Sequence, residues 1–241
     1  MSFSDNLTIQ NDSHFLNLDH ASRAVTESKK MLLNEDKSKI MIFNFTKNFQ
    51  FSTKILTNDK LLQIIHKTRI LGTILSSDLK WHKNTQHLTQ KGYQRMTMLR
   101  KLYIFDVPQE DLVLMHCLYI RSILEYNSNV WFSSITEEEI EDLERVQHIA
   151  CKMILKDEYS DDDTALDILN LKSLRDKRKM LAERFANKCQ KSEQFSELFP
   201  KNDNKSSINN EQYDVKFARK GRLFDSSIPT MQRMLNKQKK K

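Results

Sequence analysis

The sequence predicts an α+β chain: a small sheet with one helix over residues 1–80, a mostly α-helical bundle over 81–200, and a basic tail over 201–241. Three observations carry this. Only 3 Gly and 3 Pro punctuate 241 residues, so long helices meet few breakers. Short β-rich runs separated by turn residues are confined to the first third. From Trp81 onward, apolar residues recur at helical spacing.

Phe15 to Leu33 carries Leu18, Ala21, Val25, Ser28 and Leu32 in a helical rhythm and predicts the helix of the first region. Lys39 to Phe45 (KIMIFNF) is too short and too β-rich for a good helix and reads as a buried strand. Phe49–Leu56 and Leu61–Ile65, around Thr57-Asn58-Asp59, read as a hairpin. Arg69–Leu75 reads as a strand interrupted by Gly72, where a glycine often marks a close backbone approach.

His82 to Phe105 reads as one helix, ended by Asp106-Val107-Pro108. Gln109 to Glu125 is apolar on nearly every face, which predicts a central, buried helix. Thr136 to Leu155 opens with a capping box, Thr136 and Glu139, and with acidic residues at the positive end of the helix dipole. Two further helices are predicted near Asp163–Leu169 and Ser173–Gln190. Pro200 ends the ordered pattern, and KNDNKSSINNEQ (201–212) reads as a polar linker.

Net charge is +7. Residues 201–241 hold 11 Lys or Arg against 4 Asp or Glu, so the whole excess sits in the tail. A solvated end with an affinity for polyanions is predicted there. Cys117, Cys151 and Cys189 are odd in number and lie inside apolar helical patterns, which reads as buried thiols in a reducing compartment. No Cys/His group has zinc spacing. MSFSDNLTIQ lacks the features of a signal peptide. Leu112 to Leu124 is too short to span a bilayer and contains His116 and Arg121. The expectation is an intracellular chain, nuclear or cytoplasmic, with no membrane partner.

Several local strings are more specific than periodicity. Leu33-Asn34 is followed by Lys37-Ser38-Lys39 and IMIF. Ile70-Leu71-Gly72-Thr73-Ile74-Leu75 is followed by Asp78-Leu79-Lys80-Trp81. Ile123-Leu124-Glu125-Tyr126 precedes Val130-Trp131, and Leu143-Glu144-Arg145-Val146-Gln147 follows. Ser226-Ser227-Ile228-Pro229 and Met231-Gln232-Arg233-Met234-Leu235-Asn236 close the chain. In this order the strings resemble the end of the palm, the primer-grip turn, the thumb and the C-terminal segment of LINE-type (non-LTR retrotransposon) reverse transcriptases. The resemblance implies a partial palm-like region over 1–80, a thumb-like helical domain over 81–200, and a basic linker and tail over 201–241. The family activity it implies is RNA-directed DNA polymerisation.

Phe3-Ser4-Asp5-Asn6 resembles the family's aromatic-x-Asp-Asp catalytic turn, with Asp5 at the first catalytic position and Asn6 in place of the second. The family uses Mg²⁺, and two divalent ions roughly 4 Å apart need carboxylates from two strands. Asp5 alone cannot fix both, because Mg²⁺ demands near-octahedral oxygen ligation. The expectation is an N-terminally truncated chain that has lost polymerisation and holds no cofactor, with Asp5 a remnant. A palm lacking its partner strands leaves an open edge, where a protein partner is expected.

The expected nucleic-acid contacts lie at Gly72, Lys80, Lys83, Lys91, Arg95 and Lys101. From Lys80 to Phe105 there are six basic residues, Arg100 included, and no acid. At about 100° per residue, Leu88, Gly92, Met96, Leu99 and Tyr103 form an apolar stripe, with Lys83 and Lys101 opposite and Lys91 and Arg95 on a flank. Such a helix would track RNA or DNA through phosphates, weakly and without reading sequence. The alternatives are a non-enzymatic nucleic-acid-binding or protein-interaction helical module, or a functionless relic. His116 reads as a core histidine, Asp163 as a helix N-cap, and Trp81 and Trp131 as packing residues.

Overall fold

The computed structural model describes residues 15–17, 34, 37–44, 54–57, 60–201, 213–215 and 221–238. By its contacts the chain forms two compact units: Met1–Ile70 with Leu75–Leu79, and Leu71–Ile74 with Lys80–Lys241. The coarse architecture is α+β, with small sheets followed by a predominantly helical part.

In the first unit, β1 (Phe15–Asn17) pairs in parallel with β3 (Lys54–Thr57), with Leu16 opposite Ile55. β3 pairs antiparallel with β4 (Lys60–Leu61), with Leu56 opposite Leu61 and Thr57 opposite Lys60, so the expected pairing of the two arms is present at their near ends. β2 (Lys39–Ile40) pairs in parallel with β5 (Gln63–Ile64). Among the described residues, Ile55 and Leu62 are the buried apolar ones here. Two expectations change. Phe15–Asn17 is strand, not the start of a helix: a neighbouring strand supplies backbone partners that outweigh the local rhythm. Residues 18–33, which carry the rest of that expected helix, lie outside the described residues. The strand expected over Lys39 to Phe45 is confined to Lys39–Ile40, and Phe43 is exposed.

β6 (Lys67–Ile70) and β7 (Thr73–Ser76) form a two-stranded sheet joined at Leu71-Gly72. The single interrupted strand expected over Arg69–Leu75 is thus a hairpin, because both residues at its middle have positive φ and reverse the chain.

The second unit centres on α1 (His82–Ile104) against α5 (Glu137–Leu155). Their approach depends on Gly92. A Cβ there would come within 2.8 Å of Val146 Cγ1 and 3.2 Å of Leu124 Cδ2. Leu88, Met96, Leu99, Leu143, Val146, Ala150 and Ile154 fill the seam. Tyr103, expected on the apolar stripe, is exposed.

α2 (Gln109–Met115) runs into a π-helical turn, His116–Arg121, and then α3 (Ser122–Leu124). This run was expected to be central. Only Leu112, His116, Ile120, Arg121 and Leu124 face inward, whereas Leu114, Leu118 and Tyr119 are exposed. An apolar face is a permissive signal for burial and does not guarantee it.

α4 (Ser128–Trp131) starts at Asn127, whose φ of 49° suits asparagine better than most residues. α6 (Asp162–Ile168) and α7 (Leu174–Gln190) follow. The α6 N-cap is Asp161, whose carboxylate accepts from Thr164 N–H at 2.9 Å, not the expected Asp163. That bond, with the Thr164 hydroxyl, holds the Asp161 carboxyl below its ordinary value.

In its described residues the C-terminal segment is not the solvated tail that its charge predicts. α8 (Gly221–Phe224) and α9 (Ser227–Gln238) are helical. Met231 and Leu235 of α9 join Ala182, Ala186 and Cys189 of α7, with Phe199 and Tyr213, in one buried cluster. Only Arg233 and Lys237 of the segment's 11 basic residues lie in α9, so a net charge over 201–241 conceals the four-residue apolar spacing of Met231 and Leu235.

Candidate nucleic-acid interface

The hairpin tip has a defined geometry. Leu71 and Gly72 take φ of 46° and 86°. Glycine adopts this freely, but leucine does so at a cost. The leucine side chain is 83% exposed. The tip is held by three side chains of the helical unit. Tyr126 O–H donates to Leu71 O at 2.8 Å. Asn127 Nδ2 donates to Leu71 O at 3.3 Å and to Thr73 Oγ1 at 2.9 Å. Ile74 N–H donates to Asn84 Oδ1 at 3.0 Å. A Cβ on Gly72 would meet Tyr126 Cε1 at 3.0 Å. Gly72 therefore clears the way for Tyr126 to reach the leucine carbonyl.

The start of α1 is tied to the start of α5. Glu139 Oε2 accepts from Thr136 N–H at 2.8 Å, while Thr136 Oγ1 accepts from Glu139 N–H at 3.3 Å. The predicted capping box is present. The other oxygen, Oε1, accepts from Thr85 Oγ1 at 3.1 Å and lies 3.3 Å from His82 Nδ1. A local cap thus also fixes the register of two helices.

The expected cations are not one cluster. Lys83 and Lys101 are exposed on the same face, opposite the buried stripe, but eighteen positions apart, about 27 Å along the axis. Lys91 is half-buried on a flank. Among the described residues no carboxylate pairs with Lys83, Lys91 or Lys101. Arg95 differs. Its guanidinium donates to Tyr119 O and stacks over the Tyr119 ring, 4.6 Å from the centroid. It fastens α1 to the π-helical turn and is only partly available to a ligand. Lys80 is exposed just before α1.

No family model matches the chain, and no curated protein or solved structure does either. What the quoted strings do in this structure can still be read residue by residue. Leu124 is fully buried, Glu125 accepts from Arg121 Nε at 2.5 Å, and Tyr126 reaches the hairpin tip. Trp131 is fully buried and its indole N–H donates to Tyr126 O at 3.1 Å. Glu144 accepts the Leu174 and Arg175 amides at 3.0 and 2.6 Å, at the start of α7. Gln147 Nε2 donates to Lys172 O at 3.1 Å. In the last string, Gln232 Nε2 donates to Leu198 O at 3.0 Å, and Asn236 makes two bonds with the Tyr213 backbone at 3.0 and 3.1 Å. These three strings supply scaffold.

Sequence reasoning missed Asn84, Asn127 and Tyr119 as partners of the expected site residues. Asn127 carried a usable signal, since asparagine outside a helix frequently takes positive φ. Tyr119 carried none, because its role depends on the π turn. Asp5 and Asn6 lie outside the described residues, so the Mg²⁺ expectation meets no geometry. Among the described residues, no three His, Cys, Asp or Glu side chains gather around one point. Among them also, no helix is long and apolar enough to cross a membrane.

His116 is fully buried, as expected of a core residue. Burial, and then the Arg121 charge, lower its imidazole from 6.5 to about 4, so it is neutral at pH 7. Cys151 and Cys189 are buried and Cys117 half-buried. Burial pushes all three thiols up, Cys151 to about 12, the environment of inert rather than reactive thiols.

Proposed function

We propose that this chain is a reverse transcriptase-like protein of the LINE type whose helical unit is a thumb-like module binding RNA or DNA through phosphates. The observation that carries the reading is α1: three lysines, Lys83, Lys91 and Lys101, with no carboxylate partner among the described residues, on a helix whose 23 residues contain no acid. The pinned Gly72 tip, fastened by Asn84 at the base of the same helix, supports it.

Contacts at Lys83 and Lys101, about 27 Å apart, suit an extended backbone better than a compact ligand. They would position a strand and carry no sequence preference. The proposal is for binding, not polymerisation: the resemblance puts Asn6 where the catalytic turn carries its second Asp. Photo-crosslinking of an RNA–DNA duplex to the full chain, followed by peptide mapping, tests it. Adducts between Lys80 and Lys101 are expected. Adducts confined to 201–241 would contradict the reading and leave generic attraction to the basic end.

A further inference from the structure

We propose that a second, separate site binds an oxyanion of the phosphate class, at the meeting of the C-terminal ends of α1 and α5. A cavity of about 200 Å³ is lined there by Arg100 and Tyr103 of α1 and by Lys152, Met153 and Lys156 at the end of α5. By the liquid share of about 30 Å³ per water, it has room for a phosphate group and several waters.

Arg100, Lys152 and Lys156 line this cavity, three full positive charges set against the partial negative charges of two helix C-termini. Among the described residues no carboxylate pairs with Arg100 or Lys152, and the one that approaches Lys156 is Asp106, 3.8 Å from Nζ with a side chain 92% exposed. So exposed a pair contributes little. The ammonium groups rest on ring faces instead. Lys156 Nζ lies 4.4 Å from the Tyr103 centroid, and Lys152 Nζ 5.4 Å from that of Tyr159. Aromatic faces attract cations without neutralising them, so both lysines remain able to meet an anion.

The backbone sets one of these groups. Lys156 ends α5 at φ 55°, ψ −119°, a conformation that L-residues rarely adopt. Attraction of cations to a helix C-terminus explains lysines on the last turn of α5. Arg100 lies near the C-terminal end of α1 and is favoured there in the same way, so the cavity gathers cations from two helix ends.

A larger open groove of about 520 Å³ along α5 makes the contrast. Three of its basic side chains have acidic partners: His148 with Asp162 at 2.9 Å, Arg145 with Asp142 at 3.1 Å, and Arg175 with Glu137. Tyr159 O–H also donates to Asp162 there, at 2.5 Å. Lys152 lines that groove as well as the smaller cavity, whereas Arg100 and Lys156 line the smaller cavity alone.

The site shares no residue with Lys83, Lys91, Arg95 and Lys101, so it stands or falls apart from the α1 reading. Its source of phosphate is either a free nucleotide or the end of a strand, and two titrations separate them. Isothermal calorimetry of the full chain uses inorganic pyrophosphate in one arm and a 5′-phosphorylated oligonucleotide in the other. Saturable pyrophosphate binding with a Kd on the order of 1 mM is expected, weakened about tenfold in Lys152→Gln/Lys156→Gln and unchanged in Lys83→Gln/Lys101→Gln. Arg100→Gln gives a second reading from the other helix, with weakening expected again. Preference for the oligonucleotide over its unphosphorylated form, lost in the same variants, would assign the site to a strand end; its absence would assign it to free phosphate. Unchanged pyrophosphate affinity in both the double variant and Arg100→Gln, or no saturation in the parent, would overturn the proposal.

Discussion

The Tyr126 hydroxyl donates to the carbonyl of Leu71 across 2.8 Å, and Gly72 beside that carbonyl has no side chain to obstruct the ring. A strained leucine, a glycine and a tyrosine fifty-five positions away therefore make one device. Tyr126→Phe should lower stability by about 1 kcal/mol through the lost hydrogen bond. Gly72→Ala should lower it by more, about 1–2 kcal/mol, because alanine resists φ of 86° and its Cβ meets Tyr126 at 3.0 Å. Urea unfolding of both single variants and the double variant checks the coupling. Effects that add independently would mean the contact is not formed.

Glu139 is a helix cap and a helix–helix tie at once. Glu139→Ala should destabilise by about 2 kcal/mol, more than the roughly 1 kcal/mol of an ordinary cap, because the Thr85 hydroxyl loses its tie to α5 and keeps only the acceptors of its own turn, Trp81 O and His82 O. Thr85→Val in the Glu139→Ala background should then cost little. A full additional loss on thermal unfolding would show that the hydroxyl has another role.

The capping box, the helices after Trp81 and the antiparallel pairing of β3 with β4 were legible because each is written in a few neighbouring residues. The Phe15 strand was not, since its partner lies about forty positions away in β3. The hairpin at Leu71-Gly72 was misread for a related reason: leucine is no signal for positive φ, and side chains from Asn84, Tyr126 and Asn127 hold it there. The α9 segment was hidden by averaging, because a net charge weighs Lys237 and ignores that Met231 and Leu235 share a face. Within the site, the sequence distinguishes a cation from an acid. It does not reveal that Arg95 lies on Tyr119 while Lys83 has no carboxylate partner among the described residues.

His116 makes stability depend on pH. Its native pKa of about 4 lies below the ordinary 6.5, so the unfolded chain binds the extra proton first. Its contribution is fully present above pH 6.5, declines as pH falls toward 4, and is gone below that. The shift corresponds to at most about 3 kcal/mol. Chemical denaturation between pH 7 and pH 4, comparing the parent with His116→Leu, isolates it. The variant should lose less stability across this range, and identical slopes would contradict the burial of a neutral ring.

The C-terminal helix should be structural. Leu235→Ala, which opens the cluster of Ala182, Ala186 and Met231, should destabilise by about 2–4 kcal/mol. Hydrogen exchange in α7 should accelerate with it. An unaffected α7 would return this segment to the role of a solvated tail.

Salt dependence of nucleic-acid binding tests the central claim most directly. Each neutralised phosphate contributes about −0.9 to the slope of log K against log salt on duplex DNA. Lys83→Gln/Lys91→Gln/Lys101→Gln, with Arg95 left in place to keep its hold on Tyr119, should flatten the slope by roughly 2 to 3. Its urea midpoint should stay at the parent value, since none of the three lysines lies on the buried stripe. A variant that binds as tightly as the parent, with the same slope, would contradict the account of α1 as a phosphate-tracking helix.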